Sequence, residues 1–369
     1  MLKQRIIIIG AGPVGCYTAQ LLKLSGFDPL LIEEHQEVGR PVHCTGLVGS
    51  KIFDGSKSFG ISRDSIINTI NGGIIHFQEE SFTIQRNKVA YVINREQFDK
   101  ELSKGLNILY QNRFLGIEKN KSGYLVETDK DNLFADIVIG ADGANSLVRK
   151  IINLHQEVIA HKGVQFRMKL EVKHNDFVEV FLKKSSFLWI VPEAQGVVRI
   201  GTISDNPYND LLSFMEEKKI SGQILEKFGG MVAIGICEQT VKDNIVLVGD
   251  AACQLKPLTY GGVYFGLKSA QILADCIKED RLDLYDGLWK KELALEIKIS
   301  LKAREVYNSL NQIEISNLFS LIKEQKPLIE KLGDFDSHSQ LLLEIIKTPS
   351  FYRQAYRFMP AIFKKLLNI

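Results

Sequence analysis

The stretch RIIIIGAGPVG (residues 5–15) joins an apolar, β-branched run to a glycine-rich turn. The four isoleucines predict a buried strand, and the apolar spacing from Val14 to Leu24 predicts a helix that ends at Gly26. A second predicted strand, PLLIEE, follows at residues 29–34. The segment therefore reads as a βαβ unit that carries its glycines in the first turn.

Three glycines match the GxGxxG pattern where a dinucleotide site needs it, after a strand and at the start of a helix: Gly10, Gly12 and Gly15. Glycine there allows a tight turn and lets backbone N–H groups approach a pyrophosphate at the positive end of the helix. Glu33, at the end of the second strand, can accept hydrogen bonds from an adenosine ribose. Glu34 or His35 would take that part if the strand ended one or two residues later. The unit alone leaves NAD and FAD open.

Composition narrows the class of protein. The chain has 369 residues, 45% of them hydrophobic and 24% charged, with a net charge of +2, so a nucleic-acid partner is not expected. Five scattered cysteines without a CxxC pair argue against a disulfide framework, a metal site or an iron–sulfur cluster and favour a reducing, cytoplasmic location. No apolar run reaches about 18 residues, and the N-terminus runs straight into a strand, so neither a membrane span nor a signal peptide is expected.

Two later strand–turn segments resemble fingerprints of the glutathione-reductase-like FAD proteins. ADIVIGADGANSLVRK (135–150) is similar to the second fingerprint, the GxDGxxSxVR turn of aromatic hydroxylases and their relatives. NIVLVGDAACQLKPLTYGG (244–262) resembles the third, in which the aspartate after the glycine, here Asp250, bonds the ribityl chain. The resemblance implies FAD as the cofactor. A solvated turn aspartate is the alternative for Asp250, because Asp is favoured in turns.

Within that superfamily, four motifs look like those of the geranylgeranyl reductase family, which saturates isoprenoid double bonds: PVHCTG (41–46), INREQFDKEL (93–102), FLWIVP (187–192) and KPLTYGG (256–262). The resemblance covers residues 1–285, and the remainder is only generically helical. The chain departs from the family pattern at four positions: Phe187 for Tyr, Val191 for Phe, Lys184 for Pro, and Tyr260 inside a run of glycines. These departures surround the expected substrate cavity and leave the identity of the substrate open.

The predicted fold is α/β, with a Rossmann-like FAD-binding domain interleaved with an antiparallel-sheet substrate domain and followed by a helical C-terminus. The FAD-binding domain is expected to comprise residues 1–50, 91–155 and 241–284. The substrate-binding domain is expected to comprise residues 51–90 and 156–240, and the C-terminal helical region residues 285–369.

The resemblance also implies which residues contact the cofactor. The expected FAD contacts are Gly10, Gly12, Val14, Gly15, Glu33, Cys44, Thr45, Leu47, Arg95, Phe114, Asp142, Asp250, Gly261, Gly262 and Val263. Among them, Arg95 would donate to a phosphate or ribityl oxygen, and Phe114 would lie on the adenine side. The helix that opens at Val263 would point its N-terminus at the pyrimidine edge of the flavin, where its dipole stabilises negative charge. Asp142 is expected to build its own turn.

Cys44 belongs to the motif that passes beside the isoalloxazine ring in this family. It could pack against the flavin as a small hydrophobe, donate a proton to the substrate, or act as an oxidation-sensitive thiol. An isolated alkene is electron-rich and resists hydride attack, so a nearby acid should assist its reduction. Cys44 and Tyr260 are the two candidate catalytic donors. No other Cys or His stands at ligand spacing from His43 and Cys44, so no metal is expected there.

The FLWIVP motif supplies the expected substrate residues Phe187, Trp189 and Pro192. Phe187 and Trp189 are two apart on a strand and should face the same way, and with Phe181 they would line one side of an apolar tunnel. Burial of Trp189 as an ordinary core aromatic is the alternative.

The C-terminal segment SFYRQAYRFMPAIFKKLLNI (350–369) carries four basic residues and no acidic one among aromatic and aliphatic residues. It could lie on anionic lipid at the inner face of the membrane or simply cover the substrate domain.

The predicted function is flavin-dependent reduction of carbon–carbon double bonds in an isoprenoid, geranylgeranyl-type lipid, with hydride from FADH2. The sequence has no second dinucleotide fingerprint, so the electron donor would be NAD(P)H bound transiently in the same cleft or a reduced ferredoxin-like protein. FAD-dependent monooxygenases and halogenases share the three fingerprints and are the first alternative. An electron-transfer flavoprotein is the second, although the chain lacks the cysteines of an iron–sulfur cluster.

Overall fold

The computed structural model describes residues 4–55, 59–152, 158–184, 186–194 and 196–355. The strands are β1 (Ile6–Ile9), β2 (Leu30–Ile32), β3 (Leu47–Gly49), β4 (Ile66–Phe77), β5 (Glu80–Ile93), β6 (Asn107–Leu109), β7 (Phe114–Asn120), β8 (Gly123–Thr128), β9 (Asn132–Ala135), β10 (Ile137–Gly140), β11 (Ile159–Lys169), β12 (Val178–Lys183), β13 (Ser186–Ala194), β14 (Val197–Ser204), β15 (Gln223–Ile234), β16 (Val241–Lys242) and β17 (Ile245–Leu247). The helices are α1 (Pro13–Leu24), α2 (Arg95–Ser103), α3 (Leu147–Ile151), α4 (Pro207–Glu217), α5 (Val263–Lys278), α6 (Tyr285–Ser309), α7 (Gln312–Glu324), α8 (Lys326–Leu332), α9 (Ser339–Ile346) and α10 (Pro349–Ala355).

The first sheet is built on β1 and has the order β16-β17-β10-β1-β2-β6. Its strands are parallel except β16, which pairs antiparallel with β17 at the edge. All four isoleucines of β1 are buried because both faces of the sheet are covered. Ile6 and Ile8 pack with residues of α1 and α5, whereas Ile7 and Ile9 pack with β7 and β8 of a three-stranded sheet. The unbroken apolar run predicted this two-sided burial.

The second large sheet has eight strands in the order β15-β11-β14-β13-β12-β4-β5-β3. Neighbouring strands are antiparallel except β12 and β4, which run parallel. One face is covered by α4, where Phe166 and Leu188 pack against Leu211 and Phe214. The opposite face of its central strands borders the cavity described below.

The helices from α6 onward connect the two sheets. Trp289 of α6 is fully buried in the core beside the parallel sheet, and its indole N–H donates to Thr240 Oγ1 at 2.8 Å. Farther along, Phe319 of α7 packs against Phe77 and Phe82 of the β4–β5 hairpin. None of the described helices combines the length and the apolar character needed to cross a bilayer.

The proposed domain boundaries stay a prediction, and the pairing of the strands bears on two of them. β3, within the predicted FAD-binding segment 1–50, is hydrogen-bonded to β5 in the eight-stranded sheet. The last three residues of β5 (91–93), assigned to the segment that begins at 91, also pair in that sheet. Residues 47–49 and 91–93 therefore belong to the eight-stranded sheet, although the predicted boundaries assign them to the FAD-binding domain.

Candidate active site

The turn after β1 depends on glycine for two different reasons. A Cβ at Gly10, whose φ is +99°, would lie 2.5 Å from the carbonyl oxygen of Ala141, and a Cβ at Gly15 would lie 2.1 Å from that of Gly10. Gly10 and Gly15 thus let β1, α1 and β10 approach one another. At Gly12 no atom lies within 4 Å of the Cβ position, and this residue lines the cavity. Its open side therefore leaves room for another group in the cavity.

Glu33 is held rigidly at the end of β2. It is buried, with one carboxylate oxygen accepting from the backbone N–H of Ala11 at 2.9 Å. The other oxygen accepts from the backbone N–H of His35 at 3.0 Å and lies 2.6 Å from His35 Nδ1. Glu34 and His35 are exposed at the same edge of the cavity. The hydrogen bonds orient the Glu33 carboxylate beside the glycine turn.

Asp142 caps the turn after β10. Its carboxylate accepts from Ser146 Oγ at 2.6 Å and from the backbone N–H groups of Leu147 and Val148. Burial raises the pKa of Asp142, and these hydrogen bonds oppose the increase. Arg149 of α3, which follows this turn, donates to the carbonyl oxygens of Ala144 and Ala251 and so joins the second fingerprint to the third. Arg149 is the arginine of the GxDGxxSxVR motif, but no role was predicted for it from the sequence.

Asp250 lies in a 3-10 helix (Gly249–Ala252) that follows β17. Burial raises the pKa of its carboxyl group, while Arg95 and Arg149 lower it. A Cβ at Gly262 would lie 2.5 Å from Asp250 Oδ1, so only glycine lets the start of α5 pass this carboxylate. Asp250 and the N-terminus of α5 therefore face the same part of the cavity.

Arg95 begins α2 and forms a buried ion pair with Asp99 at 3.0 Å. Burial lowers the pKa of Arg95, but the charge of Asp99 and a contact with the Cys44 thiol outweigh it, so the pKa is raised. Cys44 is half-buried and accepts a hydrogen bond from the backbone N–H of Gly46 at 3.3 Å. The thiol thus lies in the cavity wall next to a permanent positive charge.

The loop at residues 43–46 is tied to three strands of the eight-stranded sheet. Thr45 Oγ1 donates to Gln165 of β11 at 3.0 Å, and Arg199 of β14 donates to the carbonyl oxygen of Thr45. His43 Nδ1 lies 2.6 Å from the carbonyl oxygen of Gly229 of β15. Gln165 and Arg199 were not predicted from the sequence, although an arginine within the otherwise apolar strand VVRIGTI was a visible signal.

These elements surround one cavity of about 800 Å³. Of the expected FAD contacts, all but Gly15 line it, and Gly15 lies behind the turn against Gly10. At the far end the cavity is walled by the eight-stranded sheet through the apolar side chains of Val178, Val180, Phe187, Trp189, Val191, Ile203 and Phe228. The rings of Phe187 and Trp189 are 5.7 Å apart, and that of Tyr260 lies 6.0 Å from Phe187. One continuous space thus joins the glycine turns to an apolar chamber.

Two residues expected in the apolar wall lie elsewhere. Pro192 is buried outside the cavity lining, because alternation along β13 turns residues 187, 189 and 191 toward the cavity and Pro192 away from it. Phe181 packs on the opposite face of the sheet, against Phe214 of α4 with a ring separation of 4.7 Å. Pro192 and Phe181 therefore do not line the cavity, contrary to expectation.

The C-terminal region contributes to the cavity, which sequence analysis did not anticipate. Lys256 is almost fully buried and lies 3.2 Å from Asp336 Oδ1, and it also donates to the carbonyl oxygen of Phe335. The ring of Phe335 lies 4.2 Å from the ammonium group, and both residues line the cavity. The loop after α8 therefore closes one side of the chamber.

Comparisons with known proteins agree with this arrangement. A family model described as an NAD(P)-binding Rossmann-like domain matches residues 8–50. An uncharacterised protein of Methanocaldococcus jannaschii is 33% identical over 375 residues, which cover 93% of this chain and 95% of that protein. A digeranylgeranylglycerophospholipid reductase of Methanosarcina acetivorans is 27% identical, with 90% of this chain and 91% of that protein covered.

The fold is also found in a crystal structure. A geranylgeranyl bacteriochlorophyll reductase-like protein of Thermoplasma acidophilum superposes with a TM-score of 0.83 at 21% identity and covers 98% of this chain and 99% of its own. The match extends through the C-terminal helices. With relatives similar along nearly its whole length, and with its glycine turns and its apolar chamber in one cavity, the chain belongs to the geranylgeranyl reductase family of FAD-dependent oxidoreductases.

Proposed function

We propose that the protein binds FAD and reduces carbon–carbon double bonds of an isoprenoid lipid. The observation that carries the proposal is the continuity of the cavity, which joins a dinucleotide-type end to an apolar end within about 800 Å³. A polar cofactor and an apolar chain could meet inside such a space. The names of the archaeal relatives support this class of substrate.

The residues fit FAD by shape. The Cβ position of Gly12 is open, Glu33 is oriented beside it, and Gly262 leaves room for Asp250 at the N-terminus of α5. In our proposal Gly12 approaches the pyrophosphate, Glu33 the adenosine ribose and Asp250 a ribityl hydroxyl. The bound flavin would supply the hydride. The positive end of α5 would favour a negatively charged ring.

The chain itself has to supply a proton for the second carbon of the alkene. We propose Tyr260 and Cys44 as the donors to be tested, since both line the cavity but belong to different loops. Cys44 also lies beside Arg95. Packing against the flavin is the alternative role for Cys44. The apolar rings of Phe187 and Trp189 would exclude water from the alkene and orient the chain.

Anaerobic turnover tests the proposal directly. The purified protein, loaded with FAD and reduced with dithionite, is incubated with an archaeal lipid extract, and the products are examined by mass spectrometry. We expect lipids that have gained pairs of hydrogen atoms, and boiled protein serves as the control. An unchanged lipid profile would contradict the proposal. Product formation that requires O2 and adds oxygen would instead identify a monooxygenase.

The electron donor is a separate part of the proposal. We propose that NAD(P)H bound transiently in the same cavity, or a reduced ferredoxin-like protein, reduces the flavin. Anaerobic mixing of the oxidised protein with NADH, NADPH or reduced ferredoxin distinguishes them by the rate at which the flavin absorbance bleaches. The physiological donor should bleach it at least as fast as lipid reduction turns over.

We also propose peripheral contact with lipid through residues 350–369, of which 356–369 lie outside the described residues. Neighbouring α9 exposes Leu343 and Ile346, with Lys347 directly after it. Flotation with anionic liposomes should recover the full chain and lose a variant that ends at residue 349. A full-length variant with Arg353, Arg357, Lys364 and Lys365 changed to Gln separates charge from apolar insertion. Equal recovery of all three proteins would contradict the contact.

A further inference from the structure

Tyr260 has a backbone conformation that its side chain does not favour. Its φ is +60°, in the left-handed region that glycine occupies most easily, so a bulky residue there is strained. The backbone N–H of Tyr260 donates to the carbonyl oxygen of Lys256 at 2.8 Å. The phenol is held by a contact from outside its own loop, which comes from α6.

That contact is Arg304. Its Nη1 donates to the phenolic oxygen of Tyr260 at 2.6 Å, and the guanidinium carbon lies 4.0 Å from the centre of the ring. Its Nε donates to the carbonyl oxygen of Pro257 and its Nη2 to that of Leu258 at 2.6 Å. Each nitrogen of the guanidinium is thus used within the protein, and Arg304 does not line the cavity. The arrangement suits orientation of a neighbour rather than binding of an anionic ligand.

The hydrogen bond sets the roles of the two side chains. Arginine can only donate, so the oxygen of Tyr260 is the acceptor in this pair and its own O–H is left for another partner. Tyr260 lines the apolar chamber beside Phe187. The residue that carries this O–H therefore borders the space in which the proposed substrate would lie.

We propose that Arg304 is a positioning residue that makes Tyr260 a proton donor. The inference rests on the proposed function. One alkene carbon gains a hydride, whose two electrons come from the reduced cofactor and its external donor, and the other gains the proton of Tyr260. The O–H bond breaks, the electron pair stays on the phenolic oxygen, and solvent later returns the proton. Arg304 stabilises the tyrosinate through the hydrogen bond and through its charge.

The groups facing Tyr260 act in different directions. Burial raises the pKa of Tyr260, the positive charge of Arg304 lowers it, and Asp205 raises it. His161 of β11 contacts the ring edge-on at 5.4 Å, and burial and Arg304 lower the pKa of this imidazole, which favours its neutral form. Among the described residues that shift the pKa of Tyr260, Arg304 alone favours its ionised form.

Ultraviolet titration of tyrosinate in the FAD-loaded protein tests the pair without substrate. Subtracting the spectrum of Tyr260→Phe isolates the signal of Tyr260 from the other tyrosines. In Arg304→Gln we expect the titration to move upward by about 1–3 pH units, because an opposite charge at this range shifts a pKa by that amount. Arg304→Lys should move it less, and Lys298→Gln, which removes an exposed charge from the same helix, should leave it in place. An unmoved titration in folded Arg304→Gln would overturn the proposal.

Kinetics separate positioning from a purely structural role. Arg304→Gln should slow alkene reduction about tenfold or more. It should also shift the alkaline limb of the pH profile upward, because Tyr260, then a weaker acid, stays protonated to a higher pH. In a Tyr260→Phe background the same change should have no further effect, whereas a structural role would lower activity in both backgrounds. If Arg304→Gln does not fold, Arg304→Lys carries the same comparison. If the wild-type protein reduces no alkene at all, the proposed function is refuted. The tyrosinate titration still tests the contact between Arg304 and Tyr260.

Discussion

At the scale of single residues, Gly12 and Gly15 show that the positions of one motif serve different purposes. Gly15 is enclosed by the turn itself, whereas the Cβ position of Gly12 is open to the cavity. Gly12 also has a φ of −68°, which any residue can adopt. Glycine at position 12 is therefore not required by the fold, and its small size would serve a bound molecule.

This difference predicts opposite results for two matched variants. Gly12→Ala should leave the free energy of unfolding of the apoprotein unchanged or raise it by about 0.4–1 kcal/mol, and should weaken FAD binding. Gly15→Ala should lower that free energy by about 1–3 kcal/mol, because its methyl group would collide with the carbonyl of Gly10. Chemical denaturation and flavin titration measure both quantities. Normal FAD affinity in Gly12→Ala would exclude a pyrophosphate at this turn.

The two candidate proton donors predict a second pair of variants. Cys44→Ser and Tyr260→Phe should both retain FAD, and the variant that removes the true donor should reduce alkenes about 10²–10⁴-fold more slowly. Single-turnover rates of the prereduced protein, with flavin content per chain as the control, measure this effect. Full activity in both variants would remove the two residues from the mechanism.

At the scale of elements, the loop at residues 43–46 is positioned by the sheet behind it. Arg199 reaches from β14 to the carbonyl of Thr45 while it is also paired with Glu193, which Arg167 shares. Burial raises the pKa of Glu193, but the two arginines outweigh this and hold it below its ordinary value. A buried ion pair thus connects the eight-stranded sheet to the loop that carries Cys44.

Arg199→Met should therefore lower the free energy of unfolding by about 3 kcal/mol, the lower end for a broken buried pair, because Arg167 remains. Since Glu193 has a depressed pKa in the folded state, it stabilises the protein above the ordinary glutamate pKa of about 4.3 and loses this effect as the pH falls through the folded value. The variant should show a shallower loss of stability on acidification. Arg167→Met is the control, because it removes the other arginine partner of Glu193 without touching Thr45. It should keep FAD affinity, whereas Arg199→Met should weaken it. Equal losses of FAD affinity in both variants would contradict the role of the loop.

Local patterns predicted the elements better than their partners. β1, β10 and β17 were readable because strands buried on both faces are continuously apolar and each ends in a recognisable turn. The phase of β13 was assigned correctly for Phe187 and Trp189, and the same alternation places Pro192, five positions after Phe187, on the opposite face. Phe181 was misplaced because alternation defines two faces and does not tell which one α4 covers.

At the scale of the whole molecule, the cavity is assembled from parts that are distant in sequence. Lys256 and Phe335 meet across 79 positions of the chain, and Arg304 reaches the same loop from α6. Sequence patterns report local periodicity and carry little information on such long-range contacts. The residues expected at the glycine-turn end came from motifs with a known family pattern, and nearly all of them line the cavity. The C-terminal wall has no such motif, and it was not predicted.

This wall predicts a change in substrate range. Phe335→Ala should enlarge the chamber and raise the ratio of kcat/KM for a longer isoprenoid to that for a shorter one by about tenfold, the scale of one or two methylene groups in a pocket. Leu295→Ala, on the exposed face of α6, is the matched control. An unchanged ratio in Phe335→Ala would show that chain length is read elsewhere.

The protein has two tryptophans, and they occupy unlike places. Trp289 is sealed in the core, whereas Trp189 stands in the wall of the cavity. The indole emission of one should follow global denaturation, and that of the other should follow ligand entry. The molecule thus contains an internal fluorescent sensor and its own reference, so the arrival of a colourless lipid could be timed in a rapid-mixing instrument without any attached dye.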